Sequence, residues 1–346
     1  MIVSRPSKMI TLTTLLVLSL LFSTGNAVAE NNGLTQRADV QQFIDKMVSK
    51  HQFERAPLTQ LLSEAELKKD IIKAITRPYE SKPWYQYRPI FVTKKRIKRG
   101  LQFWRENSAT LARAEEKYGV PPEIVTAIIG VESFYGKHKG RYRMLDSLVT
   151  LGFDYPRRGK FFRSELEHYL LMTREEKINP RSMKGSYAGA MGKPQFISSS
   201  YREYAVDFNN DGKRDLWDNT DDAIGSVANY FRRHGWQHGA PIASKASVNG
   251  TAFKKVIKKS LKPKMTLAQI TAQGVTLDEV QSDTIPASIK ATLIELKNRS
   301  GNEYWVGYRN FYVISRYNHS ALYSMAVFQL ATELRKQHNE IIAELN

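Results

Sequence analysis

Two segments of this chain carry residue types that can do chemistry. The first is Val120–Gly136, VPPEIVTAIIGVESFYG, in which Ile124, Val125, Ile128 and Ile129 recur at helical spacing and form one apolar face. Glu132 stands four residues after Ile128 and seven after Val125, so it continues that inward face. A carboxylic acid there loses solvation as an anion, and its pKa rises. The raised pKa keeps a proton available near neutral pH, as a general acid needs to protonate a glycosidic oxygen. Gly130, Ser133 and Gly136 leave its surroundings open. Taken alone, the same pattern also fits a half-buried glutamate paired with a basic residue. Glu123 falls in the first turn and reads as a charge at the helix N-terminus.

The second segment, DFNNDGKRDLWD from Asp207 to Asp218, has the spacing of an EF-hand loop. Asp207, Asn209 and Asp211 take the first, third and fifth ligand positions, and Gly212 permits the sharp turn. Lys213 offers its carbonyl, and Asp215 stands at the water-bridged position. Hard oxygen donors select calcium over zinc, so structural Ca²⁺ is the expected cofactor. Asp218 holds the twelfth position, where a longer Glu normally reaches the ion with both oxygens. The competing reading is an Asx-rich turn that binds nothing.

These segments must be positioned by a mainly α scaffold with a β insertion, an α+β chain. Residues 38–75 read as helices, with Val40, Phe43, Ile44, Met47 and Val48 and then Leu58, Leu61 and Leu62 at helical spacing. Pro78, Pro83 and Pro89 predict an irregular connection over 77–92. Thr93 caps a long helix over 94–118, and Pro121-Pro122 opens the helix that carries Glu132. Val248-Asn249-Gly250-Thr251 suggests a hairpin turn, and Glu303–Tyr317 reads as strands, through Phe311 and Val313. Residues 319–345 return to helix.

Composition bounds the partners. Lys and Arg total 52 against 34 Asp and Glu, a formal charge of +18 that favours a polyanion. Arg5 and Lys8 precede an apolar run from Ile10 to Phe22, and Ala27-Val28-Ala29 fits a cleavage site. Residues 1–29 therefore read as a cleavable signal peptide, with an uncleaved anchor as the alternative. Export to the periplasm sets nucleic acid aside. Cysteine is absent, which excludes disulfides, thiolate chemistry and a lipid-anchor cysteine after the apolar run.

Several blocks together carry a family likeness. They are Gly130–Gly136, Tyr155-Pro156-Arg157-Arg158, Lys184–Gly192 (KGSYAGAMG), Gln195-Phe196, Ala223–Tyr230 (AIGSVANY) and Arg316–Ser320 (RYNHS). In this order they closely resemble the lytic murein transglycosylase B family, from about Phe43 to the C-terminal helix and most weakly over 241–302. The resemblance implies a lysozyme-like catalytic core, a helical domain built from both chain ends and a small β domain. Its divisions are a helical N-terminal part over 30–105, a core with the EF-hand-like loop over 106–240, the β domain over 241–315 and C-terminal helices over 316–346. It implies cleavage between N-acetylmuramic acid and N-acetylglucosamine in peptidoglycan, leaving a 1,6-anhydromuramic acid end. Glu132 is then acid and base. Ser186 and Gln195 line the site, Arg157 and Arg158 meet peptide carboxylates, and Tyr87, Tyr230, Tyr317, Asn318 and Tyr323 form the sugar groove. The family's lengthened loop makes Asp221 or Asp222 an alternative to Asp218. Ile197-Ser198 departs from the usual Met-Pro, and Lys193-Pro194 occupies a variable pair, which affects groove shape more than chemistry. The implied partners are peptidoglycan strands and cell-wall synthesis or remodelling proteins, with the chain a monomer.

One carboxylate suffices for such a reaction, where ordinary glycosidases use two. The C6 hydroxyl that attacks C1 is tethered to the same sugar, so little entropy is lost in positioning it. Two rivals share these residues: a lysozyme-type hydrolase using water, and a non-catalytic, calcium-dependent wall-binding protein.

Overall fold

The structure, a computed structural model, describes residues 33–76, 82–257, 260–278 and 285–345. The signal-peptide reading of residues 1–29 lies outside the described residues. Helices α1 (Ala38–His51) and α2 (Arg55–Ser63) bury the apolar positions expected of them except the half-buried Val48, and α3 (Lys69–Ile75) buries Ile71. Glu167 staples α1 to the core. Although burial opposes it, hydrogen bonds from Lys46, His51 and Lys50 hold its carboxyl down at about 2.

The prolines mislead over 77–92. Within the described part, α4 runs from Trp84 to Phe91 with Pro83 as its extended N-cap and Pro89 inside it. Burial of Trp84 and Tyr87, whose rings stack at 6.5 Å, outweighs the backbone bond lost at Pro89. The expected helix over 94–118 is two helices, α5 (Lys94–Glu106) and α6 (Ser108–Tyr118). Asn107 breaks it, its side-chain amide donating to the carbonyl of Phe103 at 2.8 Å. Thr93 does cap α5, accepting from the Arg96 N–H. Then follows α7 (Pro122–Ser133), with proline at its start.

A two-residue ladder joins β1 (Tyr142–Arg143) to β2 (Lys184–Gly185). Between them lie α8 (Met144–Phe153), buried along its whole length, and α9 (Gly159–Glu175). Helices α10 (Ser198–Tyr204) and α11 (Thr220–Arg233) close the core.

The sheet comprises β3 (Ala243–Val248), β4 (Met265–Thr266), β5 (Val275–Leu277), β6 (Lys290–Lys297) and β7 (Asn302–Gly307), with the short helix α12 (Leu267–Thr271). Its order is β4-β6-β7-β3-β5, antiparallel throughout. No hairpin forms at Val248–Thr251: β3 passes into a 3-10 turn at Ala252–Lys255 and pairs with β5 and β7 instead. Strand structure ends at Gly307. Phe311 and Val313 belong to helix α13 (Arg309–Tyr317), since a short apolar run fits either period. The last helix, α14, runs Ala321–Leu345.

Helices from both chain ends meet at α14, while the first three helices pack elsewhere. Residues of α1–α3 cluster with α8 and α9, whereas α14 packs on α4, α5 and α7. No described helix is long and apolar enough to cross a membrane.

Candidate active site

Helix α7 ends in an unusual backbone. Phe134 (φ 52°) and Tyr135 (φ 60°) both take the left-handed conformation ahead of Gly136 (φ 83°). Two non-glycine residues there are costly, so the surroundings must hold them. The Tyr135 hydroxyl donates to the Arg96 carbonyl at 3.0 Å. The Arg96 guanidinium donates to the carbonyls of Gly130 (3.0 Å), Ile90 (2.5 Å) and Phe91 (2.9 Å), tying the end of α4 to the end of α7. Ser133 Oγ donates to the Lys193 carbonyl at 2.6 Å and accepts from Gly136 N–H. Gly130 is small for packing, not for openness: a Cβ there would lie 2.6 Å from the Tyr135 ring.

This frame presents Glu132, half-buried, with Oε1 accepting from the Tyr323 hydroxyl at 2.5 Å. Burial pushes its carboxyl up to about 7, and the Tyr323 hydrogen bond pulls the other way. Glu132 lines a cavity of about 580 Å³ together with Arg158, Gln195, Tyr230, Tyr317 and Asn318. Among the described residues lining it, Glu132 is the one carboxylate, and two arginines, Arg158 and Arg316, line the same cavity. Phe196, Tyr230 and Tyr317 form an aromatic wall, with the two tyrosine rings 4.8 Å apart. Their hydroxyls are fixed to backbone: Tyr317 donates to the Pro194 carbonyl and Tyr230 to that of Arg316, both at 2.6 Å. Gln195 is itself left-handed (φ 52°), and its amide donates to the Gly192 carbonyl at 2.8 Å.

Six of the expected site residues thus meet in one cavity; four stand apart from its lining. Tyr323 is buried, and its hydroxyl donates to Glu132 Oε1. Tyr87 is buried between Trp84 and Phe91. Ser186 Oγ accepts from the N–H groups of Ala188 and Ala190, shaping the loop whose Ala188 reaches the cavity. Arg157 is exposed outside the lining, while its neighbour Arg158 lies over Phe161, 4.2 Å from the ring centroid. Sequence reasoning passed over Arg316 and His319, although both sit in the RYNHS block beside Tyr317 and Asn318.

The loop from Asp207 to Asp218 forms a turn of oxygen donors. Asp207 accepts from the N–H groups of Asp211 (3.1 Å) and Gly212 (2.7 Å), Asn209 from Asp211, and Asp211 from Lys213. Asp215 accepts from Trp217 and Asp218 N–H. Gly212 takes φ 85° with open space around it. At the twelfth position, the Asp218 carboxylate is largely exposed and pairs with Lys139 at 2.8 Å. Asp221 is bound by Thr110 at 2.8 Å. Fully buried Asp222 instead organises the loop, accepting from the N–H groups of Phe208 (2.7 Å) and Asp215 (2.8 Å). Among the described residues, no three His, Cys, Asp or Glu side chains are drawn together as a metal cage. The hard-oxygen donor set fits calcium in chemistry.

A helical core closed around one protonatable carboxylate, an aromatic wall and two arginines defines a glycan-cleaving enzyme of lysozyme-like fold. Residues 35–332 match the transglycosylase SLT domain, and the chain belongs to this family of lytic transglycosylases acting on peptidoglycan. It is 44% identical over 315 residues to membrane-bound lytic murein transglycosylase B of Escherichia coli K12, covering 88% of this chain and 85% of that protein. Among solved structures, catenated SltB1 from Pseudomonas aeruginosa superposes with a TM-score of 0.82 at 46% identity, covering 87% of this chain and 98% of that one. Escherichia coli Slt35 in complex with calcium gives 0.78 at 43% identity, covering 87% and 94%. Pseudomonas aeruginosa SltB3 in complex with NAG-anhNAM-pentapeptide gives 0.75 at 27% identity, covering 86% and 80%.

Proposed function

We propose that Glu132 alone serves as general acid and then general base in cutting the bond between N-acetylmuramic acid and N-acetylglucosamine. Protonated Glu132 gives its proton to the glycosidic oxygen as the C1–O bond breaks. The substrate's N-acetyl group shields the developing cation. The Glu132 carboxylate then takes the proton of the C6 hydroxyl, whose oxygen bonds to C1 and closes the 1,6-anhydro ring. Glu132 is returned protonated, and no water is consumed. The observation that carries this reading is Glu132, the single carboxylate among the described residues lining the cavity, pushed up to about 7 by burial. The anhydro ligand of SltB3 supports it.

In the same reading, Arg158 and Arg316 meet substrate carboxylates, and Gln195, Tyr230, Tyr317 and Asn318 bind the sugars. Side-chain oxygens of Asp207, Asn209, Asp211 and Asp215 and the Lys213 carbonyl hold a structural calcium ion, which supplies loop rigidity and takes part in no chemical step. Slt35, solved with calcium, supports this assignment. Residues 1–29 act as an export signal, and the enzyme works in the periplasm.

Mass spectrometry of digested sacculi tests the reaction. Anhydro ends, lighter by one water than hydrolysed ends, are expected. Hydrolysed ends as the main product would replace the reading with a lysozyme-type hydrolase.

A further inference from the structure

A second cavity, of about 590 Å³, lies away from the catalytic one and shares no lining residue with it. Its floor is the sheet. Side chains alternate along a strand, so Ala243 and Lys245 of β3 fall on one face. Glu303 and Trp305 of β7 share that face, with Trp305 directly opposite Lys245. The other face of the sheet, with Ala246, Leu293 and Val306, is taken up by the β core. The facing wall is α14, whose Phe328, Gln329, Thr332 and Glu333 line the cavity one helical turn apart. Arg88 of α4 closes one end, its Nε donating to Gln329 Oε1 at 2.5 Å.

Two properties of this cleft point to a ligand. Trp305 and Phe328 meet edge to face with ring centres 5.9 Å apart, and Trp305 is locked by its own N–H donating to Glu303 Oε1 at 2.5 Å. That is a rigid apolar surface. Around it, charges of both signs stand without protein partners: among the described residues, the side chains of Lys245, Asp278 and Glu333 enter no hydrogen bond or ion pair. Charges already unpaired give up nothing in the protein when a ligand arrives. A polyanion suits this cleft poorly, because Asp278, Glu303 and Glu333 gather here in a chain whose formal charge is +18. A neutral glycan would leave both signs unmatched.

We propose that this cleft binds a short zwitterionic peptide, with its amine at Glu333 and Asp278, its carboxylate at Lys245 and Arg88, and its apolar part against Trp305. The peptide stems of peptidoglycan have this chemistry, which rests on the family's peptidoglycan substrate and not on the role given to Glu132. Helix α14 carries both Tyr323, bonded to Glu132, and the cleft wall five to ten residues further on. At 1.5 Å per residue this sets the two roughly 7–15 Å apart along the helix. A stem held there anchors the enzyme to peptide-bearing strands while the catalytic cavity works on glycan.

The test titrates the full chain with a synthetic peptidoglycan stem tetrapeptide bearing a free side-chain amine, by calorimetry. Saturable binding is expected, weakened about tenfold or more by Lys245→Glu and by Glu333→Gln. Trp305→Phe should weaken it less and serves as the variant least disturbing to the sheet. Acetylating the peptide amine should weaken binding as Glu333→Gln does. Lys245→Glu should leave the anhydro product from peptide-free glycan unchanged. The proposal is overturned by absence of saturation, by equal binding of the acetylated peptide or of peptide-free glycan, or by binding that Glu132→Gln abolishes and Lys245→Glu does not. Absence of anhydro product from the wild-type chain would instead refute the anhydro-forming reaction, whatever the peptide does.

Discussion

Tyr323 donates its phenol proton to Glu132 Oε1 at 2.5 Å, joining side chains 191 positions apart in the chain. The contact leaves the second oxygen of the acid to carry the proton toward the substrate. It also works against burial, which by itself would raise the Glu132 pKa further. Tyr323→Phe should therefore shift the alkaline limb of the pH–turnover profile upward and lower turnover about tenfold through lost orientation. A profile unchanged in both position and height would show that the hydrogen bond does nothing for catalysis.

Glu132→Gln keeps shape and removes the titrating proton, so turnover should fall by ~10²-fold or more with the fold retained. Stability should change in the opposite sense. The folded carboxyl titrates at about 7 against a reference of 4.5, so the folded state binds more protons between those values. Wild-type stability falls as pH rises through that window, by on the order of 3 kcal/mol in all. Melting curves should thus show the Gln variant gaining on the wild type at pH 8 relative to pH 4. An equal difference at both pH values would mean that Glu132 does not titrate high.

Calcium should raise the melting temperature above that in chelator, because an ion bound only by the folded loop stabilises it by about 2.7 kcal/mol at 100-fold its Kd. Asp211→Ala should abolish the difference, and Asp218→Ala should not, since Asp218 is paired with Lys139. Magnesium, which demands a tighter octahedral shell, should substitute poorly. Identical curves for metal-stripped protein in excess calcium and in chelator would remove the ion from the account.

Gly140 precedes β1 at φ 95°, and a Cβ there would lie 1.9 Å from the Gly185 carbonyl carbon. Backbone cannot give way as a side-chain tip can, and Ser186 with its loop follows directly. Gly140→Ala should cost more than about 2 kcal/mol in chemical denaturation. Gly250→Ala, also at positive φ but with open space around it, should cost only about 1 kcal/mol. Equal costs at the two positions would contradict the close approach.

What the sequence determined by itself is what acts over short distances along the chain. The 3.6-residue period put Glu132 on the inward face of α7, and Pro121-Pro122 marked where that helix starts. Thr93 capped α5 by bonding three residues ahead, and the Asx spacing from Asp207 to Asp211 made its own turn. Where local signals were ambiguous or outweighed, packing decided. Pro89 was absorbed into α4 because Trp84 and Tyr87 are buried, and Phe311 with Val313 became helix, α13 burying Phe311 together with Ile314 three residues on. Only the tertiary structure brought the Tyr323 hydroxyl to Glu132 and put Lys245 opposite Trp305 beneath α14. Those relations join residues far apart in sequence, and no local period or cap encodes a contact that exists only when separate elements pack.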